Sequence, residues 1–191
     1  MNRGDLNGAI KDFYIGNIRA GEKDFEGALE SFSRAIAKNP RHVLAKNNRG
    51  IIRRQRGDFK GAIDDFTSAI EINPNKADLY FQRALTKINI GNESTTYLSA
   101  IQDLTKAIRL DPTFALAIIQ RGLIRTKLNN HLEAIKDFTL AISLKPNLGL
   151  AYLYRGNAKY YLYKSHHGCS DWNKALELGC SEAREKLQSF C

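Results

Sequence analysis

Only 3 cysteines and 4 prolines occur among the 191 residues, and each scarcity removes a class of protein. Three cysteines, confined to positions 169, 180 and 191, are too few and too clustered for a disulfide-built scaffold. Their odd number predicts free thiols in a reducing compartment, and so a cytoplasmic protein. With 4 prolines and 14 glycines, collagen-like and low-complexity chains are excluded. No apolar run approaches the ~18 to 20 residues that span a bilayer, so membrane insertion is not expected. The opening Met1-Asn2-Arg3-Gly4-Asp5-Leu6 has no apolar stretch behind its basic residue, and no secretory signal is expected. Acidic residues are also in short supply: 20 against 29 basic ones, a net charge of +9. That excess is spread thinly, with Arg53-Arg54-Gln55-Arg56 the one compact cluster, which weakens a nucleic-acid reading of the charge.

What is present is self-similarity. Gly61-Ala62-Ile63-Asp64-Asp65-Phe66-Thr67-Ser68-Ala69-Ile70 matches Glu133-Ala134-Ile135-Lys136-Asp137-Phe138-Thr139-Leu140-Ala141-Ile142. Related stretches begin at Gly27 and Ser99, and a degenerate one at His167. Prolines 40, 74, 112 and 146 close four copies at separations of 34, 38 and 34. The third copy therefore carries four extra residues, expected within Gly91-Asn92-Glu93-Ser94-Thr95-Thr96. Tandem units of about 9–42, 43–76, 77–114, 115–148 and 149–180 follow, in one domain covering 1–191.

Each unit reads as two helices. Ala62, Ile63, Phe66, Ala69 and Ile70 share one helical face, and Gly57-Asp58 is a turn signal ahead of them. Gly16, Gly50, Gly122 and Gly156 recur in the first helix. Glycine there costs ~1 kcal/mol against alanine, so its recurrence predicts a close helix crossing. Ser181 to Phe190 reads as a final amphipathic helix, with Ser181 as its N-cap, covering the last unit.

This pattern resembles the tetratricopeptide repeat: a 34-residue helix–turn–helix with a small residue in the first helix, Ala and an aromatic in the second, and a closing proline. The resemblance implies an all-α fold, a right-handed α-α superhelical solenoid of about five helix pairs plus a C-terminal capping helix at 181–190. Where the family usually has leucine before the glycine, this chain has Arg49, Arg83, Arg121 and Arg155. Every such unit also places an aspartate in its second helix, at Asp65, Asp103, Asp137 and Asp171. An inward-facing arginine needs a carboxylate, so a structural ladder of Arg–Asp pairs is expected.

No Gly-rich phosphate loop, metal-binding His-Glu helix or nucleophile elbow is found. His166-His167-Gly168-Cys169 is the nearest to a metal motif, but Cys169 takes a core position of the repeat. No catalytic residue, metal or cofactor is therefore expected. The resemblance implies instead a groove lined by first helices that holds a partner's peptide or helix. Helical spacing assigns Phe13 and Asn17 to it from the first unit, and Asn47, Ile51 and Arg54 from the second. Phe81, Leu85 and Asn89 come from the third, Ile119, Leu123 and Lys127 from the fourth, and Asn157 and Tyr161 from the fifth. An apolar floor edged with amides and a few cations suits an apolar or mildly acidic protein segment. The alternatives are an RNA-binding helical repeat using Arg53, Arg54, Arg56, Arg125 and Lys127, and an oligomerisation segment of a larger protein. The N-terminal residues 4–13 read like the second helix of a preceding unit, which leaves that end uncapped and open to self-association.

Overall fold

The computed structural model describes residues 3–91, 93–164 and 166–191. Eleven α-helices follow one another among the described residues, with no strand: α1 (Arg3–Gly21), α2 (Phe25–Lys38), α3 (Val43–Gln55), α4 (Phe59–Ile72), α5 (Ala77–Ile90), α6 (Ser94–Leu110), α7 (Ala115–Lys127), α8 (His131–Leu144), α9 (Gly149–Tyr163), α10 (Cys169–Glu177) and α11 (Ala183–Phe190). A single 3-10 turn, His166–Gly168, precedes α10. The helices gather into two compact units, one up to Asp103 and one from Leu104 on.

Helix starts are written locally. Asp24 and Asp58 accept hydrogen bonds from the backbone N–H groups of Gly27 (3.0 Å) and Gly61 (2.9 Å), capping α2 and α4. At α3 the same work falls to His42, whose Nδ1 accepts from Ala45 N at 3.2 Å. Burial lowers the His42 pKa, which keeps that nitrogen free to accept.

Within a pair the helices cross at glycine. A Cβ at Gly50 would stand 2.9 Å from the Phe66 ring, one at Gly122 2.8 Å from Phe138, and one at Gly156 2.7 Å from Trp172. The rings are fully buried, so the missing Cβ is what lets them lie across the partner helix. In the first unit Ala28, Phe32 and Ala35 of α2 form a cluster with Ala45 and Ile52 of α3. In the second unit Ala134, Phe138 and Ala141 of α8 do so with Ile118 and Ile119 of α7 and Ala151 and Ala158 of α9. Helices α2 and α8 are thus packed from both sides by first helices.

Three sequence expectations need correction. The extra residues of the third repeat do not form a longer loop: α6 begins at Ser94 and runs 17 residues, against 14 in α4 and α8, because Ser94 to Thr96 already join the helix. Asn92 of that stretch lies outside the described residues. Secondly, α11 starts at Ala183 and has no side-chain cap from Ser181; Glu182 occupies the N-cap position. Thirdly, the cysteines are not all free thiols. Cys169 and Cys191 form a disulfide, leaving Cys180 free and buried. The repeat places Cys169 at the start of α10, and the final helix carries Cys191 back to it.

Candidate functional site

Two different arrangements of polar side chains run through the repeats, one holding helices together and one facing outward from the first helices.

The first is an ion-pair set. Arg49 grips Asp65 with two hydrogen bonds (2.6 and 2.9 Å) and donates a third to Ser33 of the preceding repeat's second helix (3.0 Å). Arg83 does the same with Asp103 (2.6 and 3.0 Å) and Thr67 (3.1 Å). In the second unit Arg121 holds Asp137 (2.7 and 3.1 Å) and Thr105 (3.2 Å), and Arg155 holds Asp171 (2.6 and 3.0 Å) and Thr139 (3.2 Å). Each guanidinium thereby ties three helices together. The four carboxylates are buried, and each takes a second cation from one turn further along the first helix: Arg53, Lys87, Arg125 and Lys159, at 2.7 to 2.9 Å. Two positive partners and a bidentate geometry are what make a buried carboxylate tolerable.

Sequence reasoning missed the second cation and the hydroxyl. The hydroxyl is legible once the repeats are aligned, in Asp65-Phe66-Thr67, Asp103-Leu104-Thr105 and Asp137-Phe138-Thr139, and the second cation follows four residues after each arginine, at Arg53, Lys87, Arg125 and Lys159. The first repeat breaks the rule with Ile15 and Ser31. There Asp12 is held instead by Lys38 Nζ (2.7 Å) and Arg34 Nε (3.4 Å). Burial works to raise the Asp12 pKa, but the bonds and charges of Lys38 and Arg34 outweigh it and the net shift is downward.

The second arrangement lies on the first helices. In the first unit Asn48 of α3 donates to Asn17 of α1 at 2.8 Å. Around that pair sits a recess of about 250 Å³ whose wall includes Ala20 and Ile51. Phe13 is half-buried against α2. Arg54 reaches the backbone oxygen of Gln82 at 3.3 Å; burial lowers its pKa, while the Asp78 charge opposes the shift. Leu85 is half-buried and Asn89 exposed. In the second unit Leu123 is half-buried against the core, and Lys127 is exposed. Asn157 accepts from the Trp172 indole N–H at 2.9 Å, and exposed Tyr161 stacks on His131 with centroids 5.5 Å apart.

Asn47, Phe81 and Ile119 are differently placed. All three are buried, so they fill the seam between helices and offer almost no surface to a ligand. They occupy one row of the first helix, four residues ahead of the row of Asn17 and Ile51 and rotated from it by about 40° at 3.6 residues per turn. Spacing alone did not separate the two rows.

The basic cluster is largely engaged. Arg53 pairs with Asp65 and Asp58, Arg56 pairs with Glu26, and Arg125 with Asp137 and Glu133. Among the described residues no group of His, Cys, Asp or Glu side chains could hold a metal ion, and no helix is long and apolar enough to cross a membrane.

Family profiles described as tetratricopeptide repeat match residues 15–77 and 115–148. No curated protein matches the chain. Among solved structures it is similar to MamA, with a TM-score of 0.82 and 23% identity over 93% of this chain and 94% of that one. It is similar to YrrB, described as a TPR protein with an unusual peptide-binding site (TM-score 0.79, 18% identity, 94% and 92% covered). PilF of Pseudomonas aeruginosa gives a TM-score of 0.75 and 16% identity over 98% of this chain and 90% of that one. At such identities the likeness carries the fold.

Proposed function

We propose that this chain, which belongs to the tetratricopeptide repeat family, is a non-catalytic interaction scaffold that holds an extended, apolar or mildly acidic peptide of a partner protein against its first helices. Proteins of this fold serve in general as protein-interaction scaffolds. The observation that carries the finer reading is the recess bordered by Asn17, Asn48, Ala20 and Ile51. A carboxamide both donates and accepts, so an amide pair beside an apolar patch can take up a peptide backbone while Ile51 and Ala20 receive a side chain. The peptide-binding site reported for YrrB supports the same use of the fold here. In the second unit exposed Tyr161 and Lys127 offer an aromatic platform and a cation.

The test is a random-peptide display selection on the whole chain, followed by titration of the selected peptides into Ile51→Asp and Tyr161→Asp. Binding should weaken at least ~10-fold in one variant or the other, the scale of a single lost anchor, with helicity by circular dichroism unchanged. Peptides that bind both variants as well as the parent, or a selection that enriches nothing, would overturn the reading. Short single-stranded RNA bound at low salt, with affinity falling steeply as salt rises, would replace it with the nucleic-acid alternative.

A further inference from the structure

Helix α1 exposes a ridge of large apolar side chains at four-residue spacing: Leu6 (37% exposed), Ile10 (48%), Tyr14 (61%) and Ile18 (62%). The repeat shows how unusual Ile18 is. Its counterparts Ile52, Thr86, Ile124 and Ala158 are all buried, at 5% or less. In α3 that burial comes from α2, the second helix of the preceding repeat. Helix α1 carries the same kind of face with no helix of the described residues against it.

The sequence of α1 indicates what would fit. Its first half, Gly4-Asp5-Leu6-Asn7-Gly8-Ala9-Ile10-Lys11-Asp12-Phe13, carries the text of a second helix, as in Gly57-Asp58-Phe59-Lys60-Gly61-Ala62-Ile63-Asp64-Asp65-Phe66. Its second half, with Gly16 and Arg19, carries that of a first helix, as Gly50 and Arg53 do in α3. A second helix and the next first helix are joined by the short connection 39–42 and run antiparallel. We infer that two copies of the chain pair through α1 in antiparallel orientation about a twofold axis. Each second-helix-like half then lies on the partner's first-helix-like half, and one repeat junction is recreated twice.

A twofold between Ile10 and Tyr14 sets Leu6 of one copy against Ile18 of the other, and Ile10 against Tyr14. The ridge itself carries no charge, and exposed Lys11 stands beside it on the helix. The four side chains offer on the order of 400 Å² per copy, about half of what a standard interface takes from each partner, the size of a weak, reversible contact. This pairing does not depend on the peptide reading.

Sedimentation equilibrium of the whole chain over about 1 to 200 μM should show monomer and dimer in exchange. Ile18→Asp and Tyr14→Asp should each raise the dissociation constant about 100-fold or more, since each sets a carboxylate in an apolar contact, with helicity retained. Orientation is read by mixing Leu6→Cys and Ile18→Cys copies bearing different tags, under mild oxidation. An antiparallel pair gives the mixed Leu6→Cys/Ile18→Cys crosslink. Like positions stay uncrosslinked, because they lie about 18 Å apart along the helix at 1.5 Å per residue. A monomer throughout that range, a dimer indifferent to both aspartates, or crosslinking of like positions would overturn the inference.

Discussion

Replacing Asp137 by asparagine removes the buried carboxylate that two guanidinium groups share, leaving Arg125 only its 3.8 Å contact with half-buried Glu133. Asp137 is 2% exposed, with Arg121 and Arg125 each 2.7 Å away. Taking one member from a buried ion pair costs about 3–5 kcal/mol, because the charge left behind has lost its hydration as well as its partner. Here the two arginine side chains keep 13% and 19% of their exposure, and asparagine still accepts one hydrogen bond. The loss should sit at the lower end, ~3 kcal/mol, which is a fall of 1 to 2 M in urea midpoint at an m-value of about 2 kcal/mol/M. Trp172 is the single tryptophan, is buried, and belongs to the same unit, so its fluorescence reads the relevant transition. Lys174→Ala, which breaks the exposed Lys174–Glu177 pair, should leave the midpoint where it was. The triple change Arg121→Met, Asp137→Leu, Arg125→Met should recover most of the loss, since no charge is then stranded. A drop below about 1 kcal/mol for Asp137→Asn, the scale of an exposed pair, would refute the reasoning.

Three further outcomes follow from the packing. Gly122→Ala should destabilise by about 1–2 kcal/mol in the same urea titration, because the new methyl would meet the buried Phe138 ring at 2.8 Å, and overpacking exceeds the helix-propensity gain. The lowered His42 pKa means that folding favours the neutral ring, so its contribution is present above the unfolded value of 6.5 and is lost as pH falls through the folded value. The urea midpoint should therefore decline on going from pH 7.5 to 5.5, and His42→Asn, which caps without titrating, should remove that part of the dependence. Reducing Cys169–Cys191 should speed amide exchange in α11, where Phe190 packs on Tyr160 at 4.5 Å, while α7 and α8 keep their protection.

The repeat period, the helix pairs and the crossing glycines were legible because each is imposed by local chemistry. Proline stops a helix, glycine permits a crossing, and apolar spacing marks a face. The Arg–Asp contacts were legible for a different reason: a buried cation leaves the chain little choice of partner. The groove was harder. Asn17 and Asn47 fall on the same broad helical face, yet Asn17 borders a recess and Asn47 is buried, because Asn47 stands one turn earlier in its helix than Ile51, the counterpart of Asn17. The disulfide escaped because Cys169 and Cys191 lie 22 residues apart, with the path between them set by how α11 folds back on α10. Helix α1 was legible as an anomaly in text, two repeat signatures in one helix, before its ridge could be seen.

Second helices and ion pairs build the stack, and in the proposed function the first helices meet the partner. Hydrogen–deuterium exchange of the chain with and without a display-selected peptide tests it most directly. Protection gained on α1, α3 and α5, or on α7 and α9, is the predicted result. Protection confined to α2, α4 and α8, or none at all with the peptide bound, would contradict it.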